Sequence, residues 1–162
     1  MRHAKAVRDH EAPSDAARGL TERGREDARR AAEEMRAQGI AFDTVLASTA
    51  ARTMATARLV MECFPQTPRL VPDDALYLAE PGVIWSAARS RLEAGGVLLV
   101  GHNPGLHELV AGWIARAGDR SRLALSLTDG VPTAAWAAFD VEDAPAESLS
   151  PRLLGGWAPN GL

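Results

Sequence analysis

Residues 97–114 read Val-Leu-Leu-Val-Gly-His-Asn-Pro-Gly-Leu-His-Glu-Leu-Val-Ala-Gly-Trp-Ile, and this stretch sets the expected architecture. Its first four residues are continuously apolar, which is typical of a strand in a parallel sheet covered on both faces. From Leu106 onward the apolar residues recur at helical spacing, which predicts an amphipathic helix. A buried strand joined to a helix by a short Gly- and Pro-containing loop is one half of a βαβ unit. The stretch therefore predicts a parallel sheet flanked by helices.

The same alternation of strands and helices continues in both directions along the chain. Thr21 can cap a helix whose apolar face is Ala28, Ala31, Ala32 and Met35. The other predicted elements are helices over 49–63 and 82–94 and strands over 43–48, 123–127, 133–141 and 153–157. Such an order favours an α/β fold, a three-layer α/β/α sandwich with a mostly parallel central sheet.

Composition limits the classes of protein to which the chain can belong. The 162 residues, 46% of them hydrophobic, fit one globular domain over 1–162. The net charge of −3 gives no basic surface for nucleic acid, and the single Cys63 excludes an internal disulfide. The longest apolar runs are far short of the ~18 residues of a membrane helix, and from residues 1–5 we expect no secretory signal. We expect a cytoplasmic protein without nucleic-acid or membrane partners.

The amino end of the chain departs from the alternation. An α/β order calls for a strand before Arg2-His3, yet only one or two residues are available there, against a usual strand length of about five. Either the first strand is stunted, or the natural start lies upstream of Met1. We expect the second, and the intact mass of the natively expressed protein tests it.

Three short motifs lie at equivalent places in this order. Arg2-His3 opens the chain, Ser48-Thr-Ala-Ala-Arg52-Thr53 follows one predicted strand, and Gly101–Gly105 follows another. Loops at the carboxyl ends of parallel strands converge on one crevice. Arginine offers a rigid fork of donors for phosphate oxygens, and imidazole can act as a neutral nucleophile or a cationic donor. The motifs together predict an oxyanion pocket, most naturally one for a phosphoryl group.

Each motif also has a simpler interpretation when it is taken alone. Arg2-His3 could be a solvated chain end, Arg52 an exposed helix residue, and Gly101–Gly105 only a turn. All three motifs lie after predicted strands or at the chain start, and this shared placement favours a functional role over the simpler interpretations. His102 and His107 are five residues apart and share no helical face, so we expect neither a metal nor a cofactor. His10 and His107 are expected on the surface.

With these motifs the chain resembles the histidine phosphatase superfamily, which has the phosphoglycerate-mutase-like fold, and within it the short SixA-like phosphohistidine phosphatases. The resemblance spans nearly the whole chain in family order. The matching segments are Arg2–Ala6, Asp15 with Arg18–Gly24, Leu46–Ser48, Arg52-Thr53, Thr56-Ala57, Leu76-Tyr77, Val100–Gly105 and Pro132–Ala134.

The resemblance implies a role for four residues. His3 would be the nucleophile that becomes a phosphohistidine, while Arg2, Arg52 and His102 would bind the phosphoryl oxygens. The two arginines should lower the pKa of His3 and keep it neutral for attack. His102 should bind best as a cation beside a phosphate dianion, so the two histidines need different protonation states.

Three further residues complete the expected site. Ser48 and Asn103 are expected to contribute to phosphate binding. Many larger relatives carry a glutamate as general acid, and Glu80 is the candidate for that role here. The alternative is that Glu80 is only an exposed loop residue before Pro81.

The resemblance implies a metal-independent phosphatase. Its expected substrate is phosphohistidine on a protein, or another phosphomonoester. The alternative enzymatic function is that of a broad small-molecule phosphatase. The alternative non-enzymatic function is that of a regulatory protein that binds phosphate without turnover.

Overall fold

The computed structural model of the chain describes residues 1–92, 95–141 and 148–161. Its five main helices are α1 (Glu22–Ala37), α2 (Ala51–Glu62), α3 (Pro81–Arg89), α4 (Gly105–Ala117) and α5 (Arg122–Asp129). Its strands are β1 (Thr44–Ser48), β2 (Arg69–Asp73), β3 (Val97–Val100), β4 (Trp136–Asp140) and β5 (Arg152–Trp157). Within the described residues, none of the helices has the length and apolarity needed to cross a membrane.

The sheet is parallel at its centre. β1 lies between β2 and β3, and Val45 is paired with Leu70 on one side and Leu98 on the other. All five residues of β1 are buried, which explains its unbroken apolar sequence apart from the terminal hydroxyl residues. β4 and β5 form an antiparallel pair with an irregularity between Ala138 and Phe139.

The first three residues join these two parts of the sheet. Arg2 forms a parallel bridge with Gly101, directly after β3. Its amide donates to the carbonyl of Ala135, just before β4, at 3.0 Å. Residues 1–3 therefore act as a very short strand between β3 and β4.

Helices cover both faces of the sheet. α1 and α2 pack together over one face, where the core includes Met35, Val60 and Trp136. α3, α4 and α5 pack over the other face, around Leu46 and Ile114. The predicted three-layer α/β/α sandwich with a mostly parallel central sheet is confirmed.

Two local predictions are wrong. Residues 123–127 form part of α5, and Ser121 caps this helix by accepting a hydrogen bond from the Ala124 amide at 3.2 Å. The alternating leucines suggested a strand, but Ala124 and Leu127 are the buried pair, and their three-residue spacing is helical. α3 ends at Arg89, before the predicted end at 94, and residues 93–94 lie outside the described residues.

The topology brings the three motifs to one edge of the sheet. β1 ends at Ser48 and leads into α2, which carries Arg52. β3 ends at Val100 and leads through His102 into α4. Because residues 1–3 run parallel to β3, His3 emerges at the same edge.

Candidate active site

The His3 side chain is held in one tautomer. Its backbone is fixed on both sides, since its amide donates to Gly101 and its carbonyl accepts from Ala134, both at 3.1 Å. The imidazole Nδ1 lies 2.8 Å from the carbonyl oxygen of Ala4. A carbonyl can only accept, so Nδ1 carries the proton of the neutral ring. Nε2 is therefore left with a lone pair.

His102 lies directly beside His3. The ring centroids are 5.2 Å apart, and His102 is only 2% exposed. Its Nδ1 accepts from Arg52 Nη2 at 3.3 Å, since a guanidinium can only donate. Its Nε2 consequently carries the proton and donates to Ser48 Oγ at 2.9 Å. The two histidines thus adopt opposite tautomers.

Arg52 is buried at the start of α2, with 3% of its surface exposed. Nη1 donates to the backbone carbonyl of Asp15 at 2.6 Å, and Nη2 donates to the carboxylate of the same residue at 2.9 Å. The Arg52 carbonyl accepts from the Thr56 hydroxyl at 2.7 Å, and that hydroxyl in turn accepts from the Ala4 amide at 3.0 Å. Helix α2 is thereby tied to the segment that carries His3.

Asp15 joins the hydrogen-bond network around Arg52, although the sequence motifs did not single it out as part of the site. Its carboxylate accepts hydrogen bonds from Arg52, from Arg18 at 2.9 Å and from the hydroxyl of Tyr77. These bonds hold the pKa of Asp15 well below its usual range, the Tyr77 bond contributing most. The same bond raises the pKa of Tyr77. Asp15 and Tyr77 both lie in the segments that carry the family resemblance, and this is the signal in the sequence that could have pointed to them.

Burial and positive charge keep both imidazoles neutral. The pKa of His3 is lowered to about 4, mainly by burial and also by the Arg52 and Arg2 guanidinium groups, while the bond to Ala4 acts in the opposite direction. Burial also lowers the pKa of His102 to about 4, with Arg52 again adding to the effect. Near neutral pH the site therefore holds two neutral histidines beside two guanidinium cations.

Arg2 and Asn103 converge on one carbonyl. Arg2 Nη1 and Asn103 Nδ2 each donate to Val131 at 3.0 Å. Arg2 Nε is buried without a partner among the described residues, so it is a donor that a bound oxyanion could satisfy. The unpartnered atom of Asn103 is Oδ1, an acceptor, which does not suit a phosphate oxygen. Ser48 is fully buried and holds His102.

Glu80 lies at the edge of this network without joining it. It is the exposed N-terminal flanking residue of α3, and its side chain makes no capping hydrogen bond. Its backbone is nevertheless close to the His102 loop, because a Cβ at Gly105 would lie 1.9 Å from the Ala79 carbonyl oxygen and 3.3 Å from Glu80 Cα. A general-acid role for Glu80 stays a prediction.

The remaining histidines lie outside the network. His10 is exposed, as expected. His107 is half-buried, and its Nε2 donates to the Thr128 carbonyl at 2.8 Å, so it joins α4 to α5. Across the ranges that the structure describes, no three His, Cys, Asp or Glu residues come together as a metal-ligand group.

Comparison with known proteins shows which proteins this arrangement is similar to. Residues 1–76 match the sequence profile of the histidine phosphatase superfamily (branch 1). The structure aligns with the proposed phosphohistidine phosphatase SixA from Agrobacterium tumefaciens at a TM-score of 0.80 and 29% identity, covering 98% of this chain and 95% of that one. The chain is thus similar to the SixA-like histidine phosphatases.

Two further solved structures share this fold. A proposed SixA from Nakamurella multipartitia aligns with a TM-score of 0.73 and 27% identity, over 86% of this chain and 80% of that one. The protein histidine phosphatase SixA complexed with tungstate shares the fold at a TM-score of 0.76 and 22% identity, over 99% and 95% of the two chains. No curated protein matches the chain in sequence.

Proposed function

We propose that this chain is a phosphatase that forms a covalent intermediate on His3. The observation that carries the proposal is the His3 tautomer: Nδ1 is engaged with the Ala4 carbonyl, and Nε2 holds a lone pair beside His102. A neutral imidazole with a free nitrogen is the form that attacks phosphorus. Its lowered pKa keeps that form populated at neutral pH.

The reaction proceeds in two balanced displacements. In the first, the Nε2 lone pair bonds to phosphorus, the bond from phosphorus to the leaving atom breaks, and the leaving group departs with that electron pair and with a proton that it already carries or takes from solvent. In the second, a water oxygen attacks the phosphohistidine, the phosphorus–nitrogen bond breaks, and inorganic phosphate leaves. The proton that the water loses passes to solvent and balances the one that the leaving group took, and Nε2 recovers its lone pair.

Arginine and histidine side chains supply the charge stabilisation. Phosphoryl transfer depends on positioning and on donors aimed at the equatorial oxygens. Arg2 has an unsatisfied Nε–H, and Arg52 is a buried cation with His102 beside it. A bound phosphate dianion favours the cationic form of His102, whose neutral state in the free site results from burial and the neighbouring guanidinium. We therefore propose that turnover needs no metal.

Ser48 and Asn103 act in this proposal as positioning residues. Ser48 Oγ fixes the His102 ring, and Asn103 Nδ2 fixes the loop against Val131. In the described bonds Ser48 Oγ accepts from His102, and Asn103 Nδ2 donates one of its two hydrogens to Val131. A direct contact of either residue with phosphate, which the sequence predicts, stays a prediction.

Phosphohistidine on a protein is the substrate that the site favours. A phosphoramidate nitrogen can be protonated before it leaves, so such a substrate does not need an enzyme acid. That property suits a site in which the candidate acid, Glu80, is exposed and makes no capping hydrogen bond with its side chain. Relatives described as phosphohistidine phosphatases agree with this choice.

The test compares two substrates in the presence of EDTA. Phosphate release is measured from a chromogenic aryl phosphate and from a phosphohistidine-carrying protein, with His3→Ala as the blank. A higher kcat/KM on the protein substrate, lost in His3→Ala and unaffected by EDTA, is the expected result. Faster turnover of free metabolites would favour the small-molecule alternative. Phosphate binding without turnover of either substrate would favour the regulatory alternative.

A further inference from the structure

Leu78 departs from the usual behaviour of leucine in two respects at once. Its φ of +51° lies in the left-handed region, and its side chain is 52% exposed. A left-handed φ brings the Cβ of an ordinary residue too close to the following carbonyl oxygen, so glycine or asparagine is the usual residue in this conformation. An exposed leucine also gains little from burial in return. Leucine at this position is therefore unfavourable for the fold alone.

The neighbours on both sides hold Leu78 in this conformation. On one side, the hydroxyl of Tyr77 donates to the carboxylate of Asp15. On the other side, Ala79 is buried, and its carbonyl oxygen would lie 1.9 Å from a Cβ placed on Gly105. Because both neighbours are fixed, the turn between them falls on Leu78, and the surrounding structure maintains the strain.

Leu78 lies at the rim of the candidate active site. The Tyr77 ring is edge-on to the His102 ring, with the centroids 5.3 Å apart. The guanidinium carbon of Arg52 lies 6.0 Å from the centroid of the same Tyr77 ring. Tyr77 is therefore part of the wall of the site, and consecutive Cα atoms are about 3.8 Å apart. The exposed Leu78 side chain consequently follows directly after this wall.

The same backbone conformation occurs at a second place in the site. Among the residues that the structure describes, Ala134 is the other non-glycine residue with a left-handed φ, at +64°. Its amide donates to the carbonyl of His3 at 3.1 Å. Both strained residues thus belong to segments that contact the site, and backbone strain of this kind clusters at functional sites. Ala134 is fully buried and holds the His3 segment, whereas the Leu78 side chain is presented to the outside.

The surroundings of Leu78 indicate which kind of substrate would contact it. A phosphorylated metabolite rich in hydroxyl groups has no apolar surface to place against a leucine. The neighbouring Glu80 is exposed and adds negative charge, which is unfavourable for a substrate with a second anionic group. A protein segment, in contrast, offers aliphatic side chains next to its phosphorylated residue. The rim therefore favours a phosphorylated protein segment over a small, highly polar phosphoester.

We propose that Leu78 is a specificity residue that contacts an aliphatic side chain beside the phosphohistidine of the substrate protein. The inference rests on the proposed function and goes further, because it names the chemistry of the residue next to the phosphorylated one. Contact would remove apolar surface of both partners from water. Since this contact is remote from phosphorus, it stabilises the bound substrate and the transition state equally, and its loss raises KM rather than lowering kcat.

The experiment uses two synthetic phosphohistidine peptides of one sequence, in which the two residues flanking the phosphohistidine are both leucine or both serine. Phosphate release is measured from each peptide and from phosphoramidate, which has no apolar part. Leu78→Asn keeps a similar size and tolerates the left-handed backbone, but removes the apolar surface. Leu78→Met retains the apolar surface. Leu125→Asn is the matched control, because Leu125 is 53% exposed and lies on α5.

We expect the unaltered protein to favour the leucine peptide over the serine peptide by about tenfold in kcat/KM, through a lower KM. This ratio should fall to within about twofold in Leu78→Asn and should persist in Leu78→Met and Leu125→Asn. The Tm of Leu78→Asn should equal or exceed that of the unaltered protein, because asparagine eases the backbone strain.

Four results would overturn the proposal, and they are distinguishable. Equal turnover of the two peptides by the unaltered protein, or an unchanged ratio in Leu78→Asn, would remove the specificity role. Parallel losses on both peptides and on phosphoramidate in Leu78→Asn would show a general structural effect instead. A dimer that sedimentation detects in the unaltered protein and not in Leu78→Asn would assign the side chain to self-association. Release from neither peptide would contradict the proposed phosphohistidine substrate itself, and this inference with it.

Discussion

Asp15 binds Arg52 twice, through its backbone carbonyl at 2.6 Å and through its carboxylate at 2.9 Å. The carboxylate also accepts from the Tyr77 hydroxyl, whose ring packs edge-on to His102 at 5.3 Å. The guanidinium is therefore oriented by a loop residue 37 positions earlier in the chain. Asp15 is a positioning residue in this account, since it acts through Arg52 rather than on the substrate.

Asp15→Asn should weaken catalysis through Arg52. The amide cannot accept from Arg52, Arg18 and Tyr77 as the carboxylate does, and it places a donor among donors. We expect kcat/KM on an aryl phosphate to fall about 10- to 100-fold, the effect of losing one charged hydrogen bond. Asp9→Asn is the matched control, because Asp9 is 82% exposed and pairs with Arg18 at the surface. Unchanged kinetics in Asp15→Asn would remove this positioning role.

Stability should depend on pH through the two histidines. Both have folded pKa values of about 4, below the ordinary value near 6.5, so the unfolded chain binds protons first. Their contribution is complete above about pH 6.5 and is lost as the pH falls toward 4. The slope for buried His102 approaches about 1.4 kcal/mol per pH unit, and partly open His3 contributes less.

Urea unfolding at several pH values between these limits measures this effect. The free energy of unfolding should decrease steadily from about pH 6.5 to 4. His102→Gln should flatten that decrease, even if its stability at neutral pH is lower. A free energy that is constant across the window would show that the histidines are not held neutral by the fold.

The effect of Glu80→Gln on turnover should depend on whether the leaving group of the substrate needs a proton from the enzyme. Phosphohistidine turnover should stay within about twofold, since its leaving nitrogen can be protonated in advance. An alkyl phosphate, whose leaving oxygen needs a proton, should lose at least about tenfold if Glu80 supplies it. Parallel losses on both substrates would indicate a structural effect on α3 instead.

Much of the fold is predictable because its signals are local. β1 and β3 are continuous apolar runs, and Thr21 caps α1 through the Gly24 amide as a cap residue should. The sequence does not predict β2, because this edge strand contains Arg69, Pro72 and Asp73, which interrupt the apolar pattern typical of a strand. An edge strand accommodates such residues. The prediction of a strand over 123–127 is wrong because it gives the alternation of leucines more weight than the helix-capping signal of Ser121.

The site was predictable only where its residues lie in motifs. His3, Arg52 and His102 each follow a strand or the chain start, and topology brings them together. Asp15 and Tyr77 are 62 residues apart and meet only through the tertiary structure. The engagement of Asn103 with Val131 likewise depends on where α5 ends, which no local pattern reports.

Gly105→Ala should disturb both stability and the site. A Cβ there would lie 1.9 Å from the Ala79 carbonyl, forcing the segment after Tyr77 away from the His102 loop. We expect a loss of about 1–3 kcal/mol in the free energy of unfolding and reduced kcat/KM. Gly112→Ala in the same helix meets nothing within 4 Å and should stabilise by about 0.4–1 kcal/mol. If Gly105→Ala and Gly112→Ala changed the Tm equally, the close approach of Gly105 to the Ala79 carbonyl would be refuted.

The covalent role of His3 is best examined by trapping the phosphoenzyme. The protein is mixed with a phosphorus-labelled substrate, quenched in alkali, which preserves phosphohistidine, and mapped by mass spectrometry. His3→Ala removes the proposed nucleophile, and His10→Ala is the control, since His10 is exposed and outside the network. We predict an acid-labile label on His3 in the unaltered protein and in His10→Ala, and none in His3→Ala. Label retained in His3→Ala, or mapped to His102, would contradict the account.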